Sequence, residues 1–433
     1  MPESSWVDRS IGDCLDASFA GEWGVERNPP NAIVLRATDI DDAGHVVGSG
    51  AARTIPKSKL RAKQLQHGDI LLEGSGGGPD KPVGRVALFE AGAHSEPAIC
   101  SNFFKTLRPR RSVVDERFLW RKLCWFYGQP ALLALQQQTT GIINLKFAEY
   151  LDARFTVPAE LPEQTKIAQV LDTLDTTIRQ TEAIIEKLEQ IKQGLLHDLL
   201  TRGIDANGEL RPPQSQAPHL YKDSPLGWIP SEWTIVPLGD LAAVDRGKFT
   251  HRPRNDPAFY GGIFPFIQTG DVANAVGGYV SAYSQTLSER GIAVSQEFPA
   301  GTIAITIAAN IADTAILAVP MYFPDSVVGA IVSPAMNVRF IELSVRRAKP
   351  QLNARAPQSA QKNINLQDLR PMLVALPTKA EQDSIAERYE AVQRRLDSEN
   401  AEARKLREMK SGLMDDLLTG RVRVTPLLAD ATS

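Results

Sequence analysis

The chain has 433 residues, of which 43% are hydrophobic and 23% charged, so it is long enough for two to four folded domains and too rich in apolar residues to be disordered. Its 48 Lys and Arg residues against 51 Asp and Glu residues give a net charge of -3, which excludes a uniformly basic nucleic-acid binder and leaves DNA contact to local patches. Three scattered cysteines, Cys14, Cys100 and Cys124, and the lack of a visible signal segment lead us to expect a cytoplasmic protein.

The first region, residues 1–160, has the pattern of a mixed α/β or α+β domain. Short β-branched runs between Gly, Pro and Asn residues predict strands, and apolar runs with helical spacing predict helices. The strands are expected at 32–35, 69–72 and 83–88, and the helices at 117–127 and 131–136.

Cationic side chains cluster in two runs of this first region. The runs contain Lys57 and Lys59, and then Lys105, Arg108, Arg110 and Arg111. Such groups suit contacts with DNA phosphates and guanine edges, so we take these six residues as candidate DNA contacts. A solvated charged face without a ligand is the alternative that the sequence leaves open.

A long helix is predicted next, over residues 161–204. Its apolar residues recur by threes and fours, as in the seam of a coiled coil, at Ile167, Leu171, Leu174, Ile178, Ile185, Leu188, Leu195 and Leu199. At 1.5 Å per residue, the 39 residues from Glu163 to Thr201 would form a helix about 60 Å long, which is too long to be enclosed in a small domain.

A Pro- and Gln-rich linker, residues 205–224, leads to a second mixed region, residues 225–377. Strands are predicted at 263–267 and 302–307. The candidate DNA contacts of this region are again cationic, and they are Arg246, Lys248, Arg252, Arg254, Arg346, Arg347, Lys349 and Arg355.

The last predicted helix, residues 378–424, repeats the first long helix and precedes a tail, residues 425–433. Glu163-Gln164 recurs as Glu381-Gln382, and Leu199-Leu200-Thr201 recurs as Leu417-Leu418-Thr419, at one constant offset of 218. The second seam consists of Ile385, Tyr389, Val392, Leu396, Leu406, Leu413 and Leu417. The plan is therefore an internal repeat in which each globular region is followed by a long helix.

Motifs for catalysis and metal binding do not emerge from the sequence. The glycine-rich run 74–78 lacks the Gly-Lys-Ser/Thr of a phosphate loop, and the six histidines never reach metal-ligand spacing with one another or with the cysteines. We predict no catalytic residue, metal or cofactor in this chain.

The two long helices carry a family resemblance. Pro162-Glu163-Gln164 at the start of the first helix and Lys192-x-Gly194-Leu195 before its end resemble the central spacer of type I restriction-modification specificity subunits. The second copy resembles the distal spacer of that family, and the segment Gly227 to Asp240 is similar to the opening of its second target-recognition domain.

The resemblance implies a specific architecture and set of partners. Two target-recognition domains would each read one half of a split site in double-stranded DNA, and the two spacer helices would pack antiparallel with pseudo-twofold symmetry. Two modification subunits would hold S-adenosylmethionine and methylate adenine. Two restriction subunits would supply ATP- and Mg-dependent translocation and cleavage, so the chain itself would not be catalytic.

Two other interpretations remain open from the residues alone. One is a scaffold in which the coiled coil is the working part and DNA is not read directly. The other is a fused enzyme with a hidden nuclease or methyltransferase, which the absence of cofactor motifs disfavours.

Overall fold

The computed structural model describes residues 6–26, 29–77, 81–92, 96–139, 142–308, 310–355 and 363–429. The chain divides into two compact units, one comprising Met1–Glu182 with Ala401–Ser433 and the other comprising Ala183–Asn400. Each unit therefore combines one globular region with one half of each long helix. Within the described residues, no helix is both long and apolar enough to cross a lipid bilayer.

The first globular region contains twelve strands and four helices among its described residues. The strands are β1 Trp6–Ser10, β2 Leu15–Ala20, β3 Ala32–Leu35, β4 Ala51–Arg53, β5 Ile70–Glu73, β6 Ser75–Gly77, β7 Val86–Leu88, β8 Ala98–Cys100, β9 Phe104–Pro109, β10 Gln136–Thr139, β11 Ile142–Leu145 and β12 Arg154–Pro158. The helices are α1 Lys57–Lys63, α2 Glu116–Tyr127, α3 Pro130–Leu133 and α4 Phe147–Asp152. The long helix α5, Leu161–Thr201, follows.

The second globular region has a similar composition of elements. Its strands are β13 Tyr221–Lys222, β14 Ile229–Pro230, β15 Thr234–Pro237, β16 Ala242–Arg246, β17 Tyr260–Phe266, β18 Tyr279–Val280, β19 Gln285–Leu287, β20 Glu297–Phe298, β21 Ile303–Thr306, β22 Thr314–Leu317, β23 Met321–Tyr322, β24 Val327–Val332 and β25 Leu373–Leu376. Its helices are α6 Leu238–Leu241, α7 Thr269–Asn274, α8 Glu289–Ala293, α9 Val338–Arg347, α10 Lys349–Arg355 and α11 Leu366–Leu369, and they precede the long helix α12, Lys379–Thr419, and the short α13, Thr425–Ala429.

The two globular regions share one sheet topology. The main sheet has the order β2-β9-β5-β7 in the first unit and β16-β24-β21-β22 in the second, where β18 adds a fifth strand at the edge. A smaller sheet contains the parallel pair β3 and β8 in one unit and β17 and β23 in the other. Antiparallel pairs, β1 with β12 and β15 with β25, lead into the long helices. The predicted repeat of two α+β domains with two long helices is confirmed.

The amphipathic helix of each region begins at a side-chain cap and packs on the main sheet. Asp115 caps α2 by accepting the Phe118 N–H at 2.9 Å, and Asn337 caps α9 by accepting the Phe340 N–H at 3.0 Å. Such caps satisfy an N–H group that a helix start leaves without an intrahelical partner. Because the apolar faces of α2 and α9 are buried, these helices fix the globular regions on the long helices beside them.

The predicted seams of the long helices are buried most deeply at Ile167, Leu171, Leu199, Ile385 and Tyr389. In the first unit, Leu174 and Ile178 of α5 pack against Leu406 and Leu413 of α12. In the second unit, Leu199 belongs to the same core as Ile385 and Tyr389. The first half of each helix thus lies beside the second half of the other, which is an antiparallel pairing within each unit. The midsection residues Ile185, Leu188 and Val392 are only half-buried.

Most predicted elements are present, with differences at their ends. The helix predicted over 131–136 is wrong in its second half, because α3 ends at Leu133 and Gln136 begins β10. The Gln136 side chain explains the break: its Oε1 accepts the Val83 N–H at 3.1 Å and its Nε2 donates to the Val83 carbonyl at 3.0 Å. The strand predicted at 83–88 begins only at Val86, and α5 ends at Thr201 rather than at residue 204.

Candidate nucleic-acid interface

A loop with a glycine at its start leaves the main sheet at the same point in both units. A Cβ atom on Gly21, which follows β2, would lie 2.0 Å from the Ser101 carbonyl oxygen, and one on Gly247, which follows β16, would lie 2.3 Å from the Phe323 carbonyl oxygen. Only glycine fits such close approaches of two backbones. The two loops are therefore structural equivalents, and we compare the predicted cations around them.

In the first unit, this loop is bordered by helix α1. Lys59 Nζ lies 2.8 Å from the Glu22 carboxylate, and Lys63 Nζ lies 3.6 Å from it, so the two ammonium groups hold the pKa of Glu22 below its usual value. Lys57 is exposed and has no ionic partner among the described residues. The Arg53 guanidinium lies over the partly exposed Trp23 ring, 4.8 Å from its centroid. The loop thus carries both positive charge and an aromatic face.

In the second unit, Arg246 is the last residue of β16, and Lys248, Arg252 and Arg254 lie on the loop that begins at Gly247. The side chains of Arg246 and Lys248 are exposed and, in the described part of the chain, neither side chain has a hydrogen-bonding or ionic partner. Arg252 Nη1 donates to the Phe249 carbonyl at 2.8 Å, and Arg254 lies 2.6 Å from the Asp325 carboxylate. Of these four exposed residues, Arg246 and Lys248 are the ones whose side chains internal contacts leave available.

The cluster predicted at 105–111 is divided between the two ends of β9. Lys105 pairs with Ala20, next to the loop of Gly21, and its Nζ lies over the Phe147 ring at 5.4 Å. Arg110 and Arg111 follow the other end of the strand, about 17 Å away at 3.4 Å per residue. Arg110 lies 3.1 Å from Asp16, and Arg111 donates to the His67 carbonyl at 2.5 Å.

Arg108 lies between them and is engaged within the protein. Its guanidinium forms two hydrogen bonds, of 2.7 and 2.9 Å, with the buried carboxylate of Asp69. A bidentate pair of this kind is geometrically specific and holds the side chain in place. The geometry of Arg108 therefore favours a structural role.

The basic residues at 346–349 have internal partners in the structure. Arg347 donates to the Leu200 carbonyl in the last turn of α5, and burial lowers the pKa of its guanidinium. Arg346 lies 3.3 Å from the fully buried Glu342 carboxylate and over the Tyr389 ring. Lys349 pairs with Asp313. The Arg355 side chain lies outside the described residues.

The cationic side chains of helix α2 contact the long helices. Arg117 Nη1 lies 2.7 Å from Asp172, and Arg121, almost fully buried, is 2.7 Å from the same carboxylate. Lys122 donates to the Leu418 carbonyl in the last turn of α12, and burial lowers its pKa to about 8. Cations at helix C-termini satisfy carbonyl groups that have no intrahelical partner. Lys122 and Arg347 thus cap the ends of the two long helices.

The Glu-Gln pair that begins each long helix is a functional feature whose role sequence reasoning missed. Gln164 Oε1 accepts the backbone N–H of Asp115, the α2 cap, at 2.8 Å, and Gln382 Oε1 accepts that of Asn337, the α9 cap, at 2.9 Å. The Gln164 Nε2 also donates to the Pro158 carbonyl at 2.8 Å. The recurrence of Glu-Gln at the offset of 218 was the signal that could have identified this contact between each long helix and the cap of the helix beside it.

Metal and thiol chemistry receive no support from the geometry. No group of three His, Cys, Asp or Glu side chains within the described ranges could hold a metal ion. Burial raises the pKa of Cys14 and of Cys100 to about 11 and that of Cys124 to about 12. Thiols with such values remain protonated and poorly nucleophilic at neutral pH.

Comparison with known proteins gives consistent matches over the whole chain. The model of the type I restriction modification DNA specificity domain matches residues 4–190 and again residues 230–408. A putative type I restriction enzyme MjaX specificity subunit of Methanocaldococcus jannaschii is 23% identical over 428 residues, covering 98% of this chain and 95% of the relative. The MjaVIII specificity subunit of the same organism is 24% identical over 388 residues, or 85% of this chain and 83% of the relative.

Two solved structures share the fold. The type I restriction-modification S subunit from M. genitalium superposes with a TM-score of 0.57 at 15% identity, covering 96% of this chain and 97% of that one. A chain from a structural study of complex assembly and conformational transition in the type I system has a TM-score of 0.57 at 14% identity, covering 98% and 99%.

Proposed function

Because this chain belongs to the type I restriction-modification DNA specificity family, we propose that its two globular regions each read one half of a split, asymmetric DNA site. Members of this family are DNA-recognition components rather than catalytic subunits. The chain is accordingly a specificity subunit, and chemistry on DNA is the task of its partners.

The observation that carries the proposal is the repetition of one framework with different surface residues. Three features recur in both units: the sheet order, the loop that begins with glycine, and the helix whose cap residue donates its backbone N–H to a glutamine of the long helix. The side chains around that loop differ: Glu22, Lys59 and Trp23 border it in the first unit, and Arg246 and Lys248 in the second. A shared framework with diverged contacts is what reading two different half-sites requires.

We assign the DNA-contacting surface to the cations around these loops. They are Lys57, Lys59 and Lys105 in the first unit and Arg246, Lys248, Arg252 and Arg254 in the second. Exposed cations without internal partners bind phosphates at the lowest desolvation cost, which favours Arg246, Lys248 and Lys57. Arg110 and Arg111 are exposed as well, but they lie at the opposite end of β9 and would belong to a separate contact.

The helix pair would set the distance between the half-sites and hold the partners. What supports this is the equal length of the two helices, since α5 and α12 each have 41 residues. We propose that two modification subunits dock there with S-adenosylmethionine, and that two restriction subunits add ATP- and Mg-dependent activity.

The proposal is tested by mapping methylated adenines in cells that express the chain together with its modification subunit. The expected motif has two different half-sites separated by a fixed number of unspecified bases. A chain that assembles with its partner and directs no sequence-specific methylation would instead be an interaction scaffold without DNA readout.

A further inference from the structure

His45 and Tyr279 occupy the same position in the two units, although no common sequence offset relates them. His45 forms a parallel bridge with Leu88 of β7, and Tyr279 pairs in parallel with Ile316 of β22. Leu88 and Ile316 are equivalent, because each lies opposite the first residue of the adjacent strand, β5 or β21. Both residues therefore lie at the same edge of the main sheet.

The surroundings of this position on the long helices are equivalent as well. Arg117 and Arg339 are each the second residue of the helix that packs on the sheet. Arg117 lies 2.7 Å from Asp172 of α5, and Arg339 lies 3.1 Å from Glu390 of α12. Asp172 and Glu390 are separated by the repeat offset of 218.

In the second unit, the Tyr279 ring, which is 54% exposed, lies between the sheet edge and the helix. The Arg339 guanidinium lies over the Tyr279 ring, 4.8 Å from its centroid. The Tyr279 hydroxyl donates to the Glu390 carboxylate at 3.1 Å. The phenol of Tyr279 thus contacts a cation through its ring face and an anion through its hydroxyl.

In the first unit, the smaller histidine leaves this space open. The His45 ring packs against Trp120, with 5.1 Å between ring centroids and an angle of 61° between planes. Beside it is a cavity of about 300 Å3, lined by both members of the Arg117–Asp172 pair. This volume is at the lower end of the range of about 300–1,000 Å3 for ligand pockets.

The lining of the cavity offers the contacts that the phenol makes in the other unit, and it contains additional polar groups. The Arg179 side chain is exposed and has no hydrogen-bonding or ionic partner among the residues described. The Asp41 carboxylate accepts one hydrogen bond among the described residues, from the His45 backbone N–H at 2.8 Å. The Trp120 Nε1–H is buried and, within the described structure, forms no hydrogen bond. The site thus combines aromatic faces, a guanidinium and carboxylates.

We propose that this cavity binds a hydroxylated aromatic ring of the size of a tyrosine side chain. The ring would lie on the Arg117 guanidinium, and its hydroxyl would donate to the Asp172 carboxylate, as Tyr279 does with Arg339 and Glu390. Cation–π contacts of this kind stabilise a bound ring most when the site excludes water. The inference does not depend on DNA reading, since it rests only on the comparison of the two units.

Binding can be measured on the full chain with 4-fluorophenol as the probe, by 19F NMR titration. Wild type is expected to bind at one saturable site. His45→Tyr, which supplies the ring internally, is expected to weaken binding at least about tenfold, or 1.4 kcal/mol. Unaltered 4-fluorophenol binding by a folded His45→Tyr variant would overturn the proposal.

A matched variant in the second unit protects the test against misfolding of His45→Tyr. Tyr279→Ala should open the equivalent space, so the chain should bind a second equivalent of 4-fluorophenol. Fluorobenzene, which lacks the hydroxyl, should bind more weakly at both places. Failure of wild type to bind 4-fluorophenol saturably, or equal binding of fluorobenzene, would contradict the proposed chemistry.

Two sources of such a ring are separated by an assembly measurement. If a tyrosine of the modification subunit enters the cavity, His45→Tyr should weaken assembly with that subunit, and 4-fluorophenol should compete with assembly of the wild type. If the ligand is a free phenol, His45→Tyr should lose probe binding but assemble with the modification subunit as the wild type does. Addition of 4-fluorophenol should then leave assembly of the wild type unchanged.

Discussion

The carboxylate of Glu163 accepts hydrogen bonds of 2.7 and 2.9 Å from the guanidinium of Arg423, which is 260 residues away in the chain. Glu163 is the third residue of α5, and Arg423 follows the end of α12. The second unit has the equivalent ion pair: Arg211, which follows α5, lies 2.5 Å from Glu381 near the start of α12. In each unit, the beginning of one long helix is thus tied to the chain just beyond the other.

Breaking one of these pairs should destabilise the protein strongly. Glu381→Gln would leave the Arg211 guanidinium buried without its main counterion, and loss of one partner of a buried pair costs about 3–5 kcal/mol. Glu232→Gln is the matched control, because Glu232 contacts the same guanidinium at 3.1 Å but its side chain is 78% exposed. Urea unfolding should show a loss for the control of no more than about 1 kcal/mol. Equal losses for the two variants would contradict the structural role of the buried pair.

A charge in the seam of the helix pair should disrupt it. Leu406 is buried against Leu174 and Ile178, so Leu406→Asp would bury a carboxylate among apolar side chains. We expect a lower free energy of unfolding and impaired assembly with the modification subunit. Ile184→Asp is the control, since Ile184 is an exposed residue of α5. Assembly of Leu406→Asp at the level of this control would argue against the helix pair as the spacer.

Replacing Arg246 and Lys248, which flank Gly247 at the start of the second loop, should weaken DNA binding in a salt-dependent manner. Arg246→Ala with Lys248→Ala would eliminate two phosphate contacts, and the slope of log K against log salt should fall in magnitude by about 1.8, or 0.9 per contact. Arg394→Ala with Arg395→Ala removes the same charge from exposed positions of α12. Its slope should equal that of the wild type. Identical slopes for both double variants would remove this loop from the interface.

Stability should depend on pH through Lys122. Its pKa is about 8 in the folded protein against 10.5 for the ordinary side chain, so between these values the unfolded chain binds more protons. The free energy of unfolding should therefore rise with pH in this window, by up to about 1.4 kcal/mol per pH unit.

A comparison of variants isolates this contribution. Cys14, Cys100 and Cys124 act in the opposite direction above pH 9, because their folded pKa values are raised from 9.0 and the unfolded chain loses protons first. The difference between wild type and Lys122→Met cancels the cysteine terms. A Lys122→Met profile parallel to that of the wild type would contradict the burial of a charged amine there.

The sequence was most informative in the segments that recur in both halves of the chain. The constant offset of 218 identified the long helices, and the period of their apolar residues identified Leu174 and Leu406 as seam residues. Charge clusters were less informative, because a count of nearby cations does not tell which helix face or strand end each one occupies. Arg347 shows this: its guanidinium caps α5, a partner 147 positions earlier in the chain.

The equivalence of His45 and Tyr279 was beyond the reach of sequence comparison. Loops of different length precede the two residues, so only the strand pairing of the folded sheets brings them to the same position. The cavity lies beside the smaller of the two rings, which becomes visible only when the surroundings in the folded chain are known.

The most direct test of the central claim is a map of methylated adenines in cells carrying the wild-type chain or the Arg246→Ala, Lys248→Ala variant, each with its modification subunit. The account predicts a motif of two different half-sites at fixed spacing, with occupancy reduced in the variant and the spacing unchanged. A single uninterrupted motif, or a pattern of methylation that is independent of this chain, would contradict it.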